Sequence, residues 1–122
     1  PDSNYAADAE QRMIEIRNRL SEYELHAARY YLKREAYISA ANRASHIVKS
    51  YPNTSAVEPA LTIMVETYRL LGMDSQADDA LAVLAANFPD SDSFDKTMKF
   101  KPSEIQKQQR SLLGVVTFGL FE

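Results

Sequence analysis

Few side chains in this chain could do chemistry, and their spacing argues against most of it. His26 and His46 stand twenty residues apart, with no third ligand at the i, i+4 spacing of a helix-borne zinc site. They read as exposed or partly hydrogen-bonded histidines. The carboxylate pairs Asp78-Asp79 and Asp90/Asp92 are no better placed. Adjacent helix positions point to different faces, and the second pair lacks the glycine and terminal glutamate of a calcium loop. No serine or threonine sits in the glycine-flanked turn of a strained nucleophile. Three glycines are too few and too scattered for a phosphate-binding loop, and without cysteine there is neither a disulfide nor a thiolate metal site. The expectation is a protein that is not an enzyme and carries no cofactor and no metal.

What remains is recognition chemistry. Asn42, Arg43, His46 and Lys49 fall at offsets of three and four residues, which puts them on one side of a helix. Arg43 has the planar fork that pairs with carboxylates. By residue type alone it reads first as an ordinary surface arginine. Nucleic acid is not indicated as a partner, because no basic stripe interleaved with aromatics occurs.

These residues lie in a stretch, Tyr31 to Ser55, whose layout recurs 37 residues later as Tyr68 to Asp92. Tyr31 falls on Tyr68, Ala40 on Ala77, Ala44 on Leu81, Ile47 on Leu84, Tyr51 on Phe88 and Pro52 on Pro89. Such a period signals stacked supersecondary units. The pattern predicts four helices. The first runs without glycine or proline from about Ser3, read as its cap, to about Arg34, with Met13, Ile16, Leu20, Tyr23, Ala27 and Tyr30 on one stripe. Glu35-Ala36 breaks the chain. A second helix, Tyr37 to Ser50, turns Tyr37, Ala40, Ala41, Ala44, Ile47, Val48 and Tyr51 inward and leaves Asn42, Arg43, His46 and Lys49 pointing away. Pro52 stops it.

Ser55 and Glu58 have the form of a capping box for the third helix, although Pro59 lies one residue deeper than proline prefers and allows a shift of the start. Leu61, Met64, Val65, Tyr68 and Leu71 form its apolar side, and Gly72 ends it in a left-handed conformation. Asp74 is placed to cap a fourth helix, from about Ser75 to Asn87, with Ala77, Ala80, Leu81, Leu84 and Ala85 inward and Phe88 closing its end. Pro1-Asp2-Ser3 repeats the Pro52-Asn53-Thr54 and Pro89-Asp90-Ser91 pattern, so the chain reads as starting at the turn of an earlier repeat.

With 122 residues the chain is long enough for one core and not for two. An apolar share of 45% and a charged share of 25% exclude collagen-like and strongly disordered classes. The net charge of -3 is unevenly spread: residues 56–95 hold eight acids against Arg69 alone, and residues 96–122 hold five bases against two acids. Two regions follow, a repeat region over 1–91 and a linker with an apolar tail over 92–122. Within the tail, Ser103-Glu104-Ile105-Gln106 after Pro102 has a second capping-box form and predicts a short helix to about Arg110, and SLLGVVTFGLFE is too short to span a bilayer. Three readings stay open for it: a cap over the last repeat, a partner or membrane contact, or a segment ordered only by a lattice.

The small residue at Ala40 and Ala77, the aromatic nine residues earlier and the proline twelve later resemble the tetratricopeptide repeat. The tryptophan and glycine of that family's first helix are missing, and the period is 37 where the family usually has 34. The run YELHAARYYLKREAYISAANRASHIVKSYPNT, with the long helix before it and ALTIMVETYRLLGM after it, resembles the C-terminal half of the BamD family, the outer-membrane lipoproteins of the β-barrel assembly machinery. The resemblance covers roughly residues 1–89.

It implies an all-α, tetratricopeptide-like array of antiparallel helix pairs. It implies also a scaffold at the periplasmic face of the outer membrane, lipid-anchored in the full-length protein, whose C-terminal repeats dock the last POTRA domain of BamA and the smaller Bam lipoproteins. Arg43 matches the basic position that in the family faces the POTRA domain. With it, Asn42, His46 and Lys49 become the expected partner-binding face. The alternatives are an adaptor of another periplasmic or cytosolic machine, a regulatory domain attached to a cell-wall enzyme, and membrane-surface binding by the tail.

Overall fold

The computed structural model describes residues 2–92, in four helices: α1 Asp2–Lys33, α2 Tyr37–Ser50, α3 Val57–Leu70 and α4 Asp74–Asn87. The tail readings concern residues outside that range, apart from Asp92. Each helix packs on the next, and α3 also touches α1. This is an array of antiparallel helix pairs, as the repeat implies. At 32 residues, α1 is a rod of about 48 Å.

The repeat is legible down to its backbone hydrogen bonds. At the end of α1 the Ala36 N–H donates to the Tyr31 carbonyl (2.9 Å) and the Glu35 N–H to that of Leu32 (3.1 Å). At the end of α3 the Met73 N–H donates to Tyr68 (2.7 Å) and the Gly72 N–H to Arg69 (3.1 Å). Both are Schellman closures around a left-handed residue, Glu35 at φ 62° and Gly72 at φ 76°. The proline-terminated ends match as well. Tyr51 N–H donates to Ile47 and Phe88 N–H to Leu84, each at 2.8 Å.

The core follows the small-residue pattern. Ala40, Ala44 and Ile47 of α2 are fully covered, as are Ala60 and Val65 of α3 and Ala77 and Leu84 of α4. Alanines at the crossings let the helix axes approach closely, and the longer side chains fill the space between them. Tyr31, Tyr37, Val48, Met64, Leu81, Ala85 and Phe88 close the edges of this core.

Three expected helix starts need correction, and the α1 stripe lies outside the core: Met13, Ile16, Leu20, Tyr23 and Tyr30 are all exposed. The face that meets the core is Ser21, Leu25, Ala28 and Leu32, where small residues at Ser21 and Ala28 admit the neighbouring helix. The Ser55–Glu58 capping box does not form. Helix α3 starts at Val57 after Ala56 with no side-chain cap, because Ser55 is engaged by α1: its hydroxyl donates to Glu22 Oε1 and its N–H to Asn18 Oδ1, each at 3.3 Å. Asp74 lies inside α4, whose N-cap is Met73 with no side-chain bond. Ser3 likewise falls inside α1 and does not begin it.

Candidate docking surface

On α2 the buried positions Ala40, Ala41, Ala44 and Ile47 leave the opposite side free, and Asn42, Arg43, His46 and Lys49 are all exposed there. The four share one face, at the spacing expected of α2. The side chains of Asn42 and Lys49 make no hydrogen bond or ion pair with other described residues. His46 shares a 3.3 Å hydrogen bond between Nδ1 and the Ser50 hydroxyl and meets the Tyr51 ring edge-on at 5.9 Å.

Arg43 is built into a larger arrangement. Its Nη1 donates to both carboxylate oxygens of Glu24 on α1, at 3.1 and 3.4 Å. The Glu24 side chain retains 17% of its exposure and that of Arg43 45%, so the acid is the covered partner and the guanidinium the presented one. Hydrogen bonding to Glu24, followed by the attraction of its charge, raises Arg43 above its ordinary pKa. The guanidinium also lies 6.0 Å from the centre of the Tyr31 ring. Tyr31 meets Tyr30 edge-on at 5.5 Å, and Arg34 lies 4.4 Å from the centre of the Tyr30 ring. One continuous polar and aromatic surface therefore runs along the α1–α2 edge.

The sequence pattern did not single out Glu24, Tyr30 or Arg34 for this surface. The second repeat supplies a signal that could have. At the 37-residue offset Glu24 and Arg43 become Leu61 and Ala80, both buried, while Tyr30 and Arg34 become Thr67 and Leu71. An ion pair in one copy thus stands where the other copy has two buried apolar residues.

No group of three or more His, Cys, Asp or Glu among the described residues could hold a metal ion. A groove of about 390 Å³ between α1 and α3 has Arg29 and Lys33 on one wall and Glu58 and Glu66 on the other, and it gathers neither histidine nor cysteine. No helix among the described residues is long and apolar enough to cross a membrane.

Residues 1–84 match the family model of the outer membrane lipoprotein YfiO. Among curated proteins the chain is 50% identical over 91 residues to outer membrane protein assembly factor BamD of Neisseria meningitidis serogroup A, covering 75% of this chain and 34% of that protein. It is 41% identical over 90 residues to BamD of Xylella fastidiosa strain 9a5c, covering 74% of this chain and 31% of the relative. The BamD of Vibrio cholerae is 41% identical over 87 residues, covering 71% and 36%. The chain spans about a third of the length of these relatives. Matched over the greater part of its residues, with the helical array the repeat implies, this chain belongs to the YfiO family of outer membrane lipoproteins, alongside the BamD assembly factors.

Proposed function

We propose that this chain is a non-catalytic scaffold in outer membrane protein assembly, and that the exposed side of α2 docks a partner of the assembly machinery: the last POTRA domain of BamA, with the smaller lipoproteins as further contacts. It works at the periplasmic face of the outer membrane, held there by a lipid in the full-length protein. The relatives' name, assembly factor, supports the process. The Glu24–Arg43 pair supports the site.

That pair is the observation that carries the reading. Packing alone is satisfied in the second repeat by Leu61 and Ala80, so the repeat does not need charge at this position. An ion pair kept at a helix–helix edge, with the guanidinium outward, suits recognition of a partner carboxylate, since the planar fork makes paired hydrogen bonds.

The test is a titration of the 122-residue chain with the isolated last POTRA domain of BamA from the same organism. Arg43→Gln is the cleaner variant, because Arg43→Glu would also bring a second carboxylate against Glu24. Affinity should fall at least tenfold, as happens when a hydrogen-bonded interfacial charge pair loses one partner. An affinity within twofold of the parent removes Arg43 from the interface.

A further inference from the structure

We infer that the docking surface holds a second anion-binding guanidinium, Arg34 stacked on Tyr30, and that the partner it fits is an acidic protein surface presenting two carboxylates. The inference rests on the reading of the α2 face as a docking site and extends it onto α1.

Arg34 lies 4.4 Å from the centre of the Tyr30 ring. Contact with the ring attracts the cation through the ring quadrupole, yet it uses none of the in-plane N–H donors that pair with a carboxylate. Among the described residues Arg34 makes no ion pair, so its fork is uncommitted. Arg43 is in a related state: its Nη1 is bound to Glu24 and Tyr31 takes a further hydrogen bond, yet the five N–H donors of a guanidinium exceed these contacts and the side chain is 45% exposed. Both guanidiniums are therefore held in place with donors to spare. Immobilising them in advance lowers the ordering cost that a partner would otherwise meet.

The two sites are mechanically one. Arg34 contacts Tyr30 at 4.4 Å, Tyr30 meets Tyr31 at 5.5 Å, and Tyr31 lies 6.0 Å from the Arg43 guanidinium. The edge-to-face geometry of the two rings, 79° between planes, is a preferred aromatic arrangement, and it fixes the spacing of the cations they carry. The backbone N–H of Arg34 donates to the Tyr30 and Tyr31 carbonyls at 3.3 and 3.1 Å, which fixes the main chain from which the side chain leaves.

The second repeat provides the internal control. It keeps the closure at Gly72 and the ring at Tyr68, but has Thr67 and Leu71 where the first has Tyr30 and Arg34. The helix hairpin closes without either residue, so neither is required by the turn.

The experiment titrates the 122-residue chain and its variants with the cognate last POTRA domain at low and high salt. Arg34→Gln should lower affinity at least fivefold at low salt, with a smaller loss at high salt, where exposed charges are screened. Arg34→Lys should recover little of that loss, because an ammonium lacks the planar fork. Tyr30→Leu should weaken binding about threefold while leaving the charge in place, in keeping with the worth of a cation–ring contact. Thermal midpoints of the variants serve as a fold control.

If Arg34→Gln binds within twofold of the parent while Arg43→Gln is weakened, the second site is overturned and the α2 docking face stands. If neither variant changes affinity, both are overturned. A loss for Arg34→Gln that is independent of salt, or that Arg34→Lys fully restores, also rejects paired recognition by the guanidinium.

Discussion

At Arg43 one guanidinium serves two neighbours, taking the Glu24 carboxylate on one nitrogen and standing over the Tyr31 ring. Neither contact is deeply buried, and exposed ion pairs contribute little to stability because water screens them and two long side chains must be ordered. Arg43→Gln should therefore shift the thermal midpoint by no more than about 3 °C, measured by circular dichroism. The pH behaviour follows from the direction of the shift. Glu24 raises the Arg43 pKa, so its share of stability is complete below the unfolded value and is lost only as pH rises through the folded one. That window lies beyond ordinary working pH, and the Arg43 contribution should stay flat between about pH 7 and 9. The exposure of Asn42, Arg43, His46 and Lys49 was legible in the sequence because they stand about half a helical turn from the alanines. Glu24 was not, since finding it requires knowing which side of α1 faces α2.

The elements carry the sharpest lesson in α1. Its large apolar residues, Met13, Ile16, Leu20, Tyr23 and Tyr30, obey the helical period and yet lie outside the core. The face that packs is built from Ser21, Leu25, Ala28 and Leu32, at the same spacing but with small members that let the neighbour approach. Periodicity reports that a stripe exists, and the neighbouring helix decides which stripe is covered. The ends of the helices were read with mixed success for a related reason. Gly72 announces a left-handed residue through its chemistry, whereas Glu35 at φ 62° occupies the same role without the residue type that signals it. A side chain held in that region costs about 1–2 kcal/mol, partly offset by the greater freedom of glycine in the unfolded chain. Glu35→Gly should thus stabilise the fold by about 0.5–1 kcal/mol. Gly72→Ala, where no heavy atom lies within 4 Å of the added methyl, should destabilise it by about 1 kcal/mol through backbone strain alone. Urea unfolding of the two variants checks both signs.

For the whole molecule, the 37-residue offset makes Ile47 and Leu84 equivalent, and both are fully buried. Their surroundings differ. Ile47 belongs to a helix packed on both sides, by α1 and α3, while among the described elements α4 packs chiefly on α3. Truncating either to alanine should cost about 2–5 kcal/mol, set by how far the site can collapse around the lost atoms. The loss should be smaller at Leu84, whose open side lets neighbours relax into the space. Stability in a stacked array is close to a sum of units and nearest-neighbour interfaces, so the two variants separate packing from recognition. Leu84→Ala should lower the urea midpoint, yet at temperatures well below unfolding it should bind the POTRA domain as the parent does, because α4 contributes none of the side chains on the α1–α2 edge. If its affinity falls along with its stability, the second repeat takes part in docking, and the division of labour between the two copies fails.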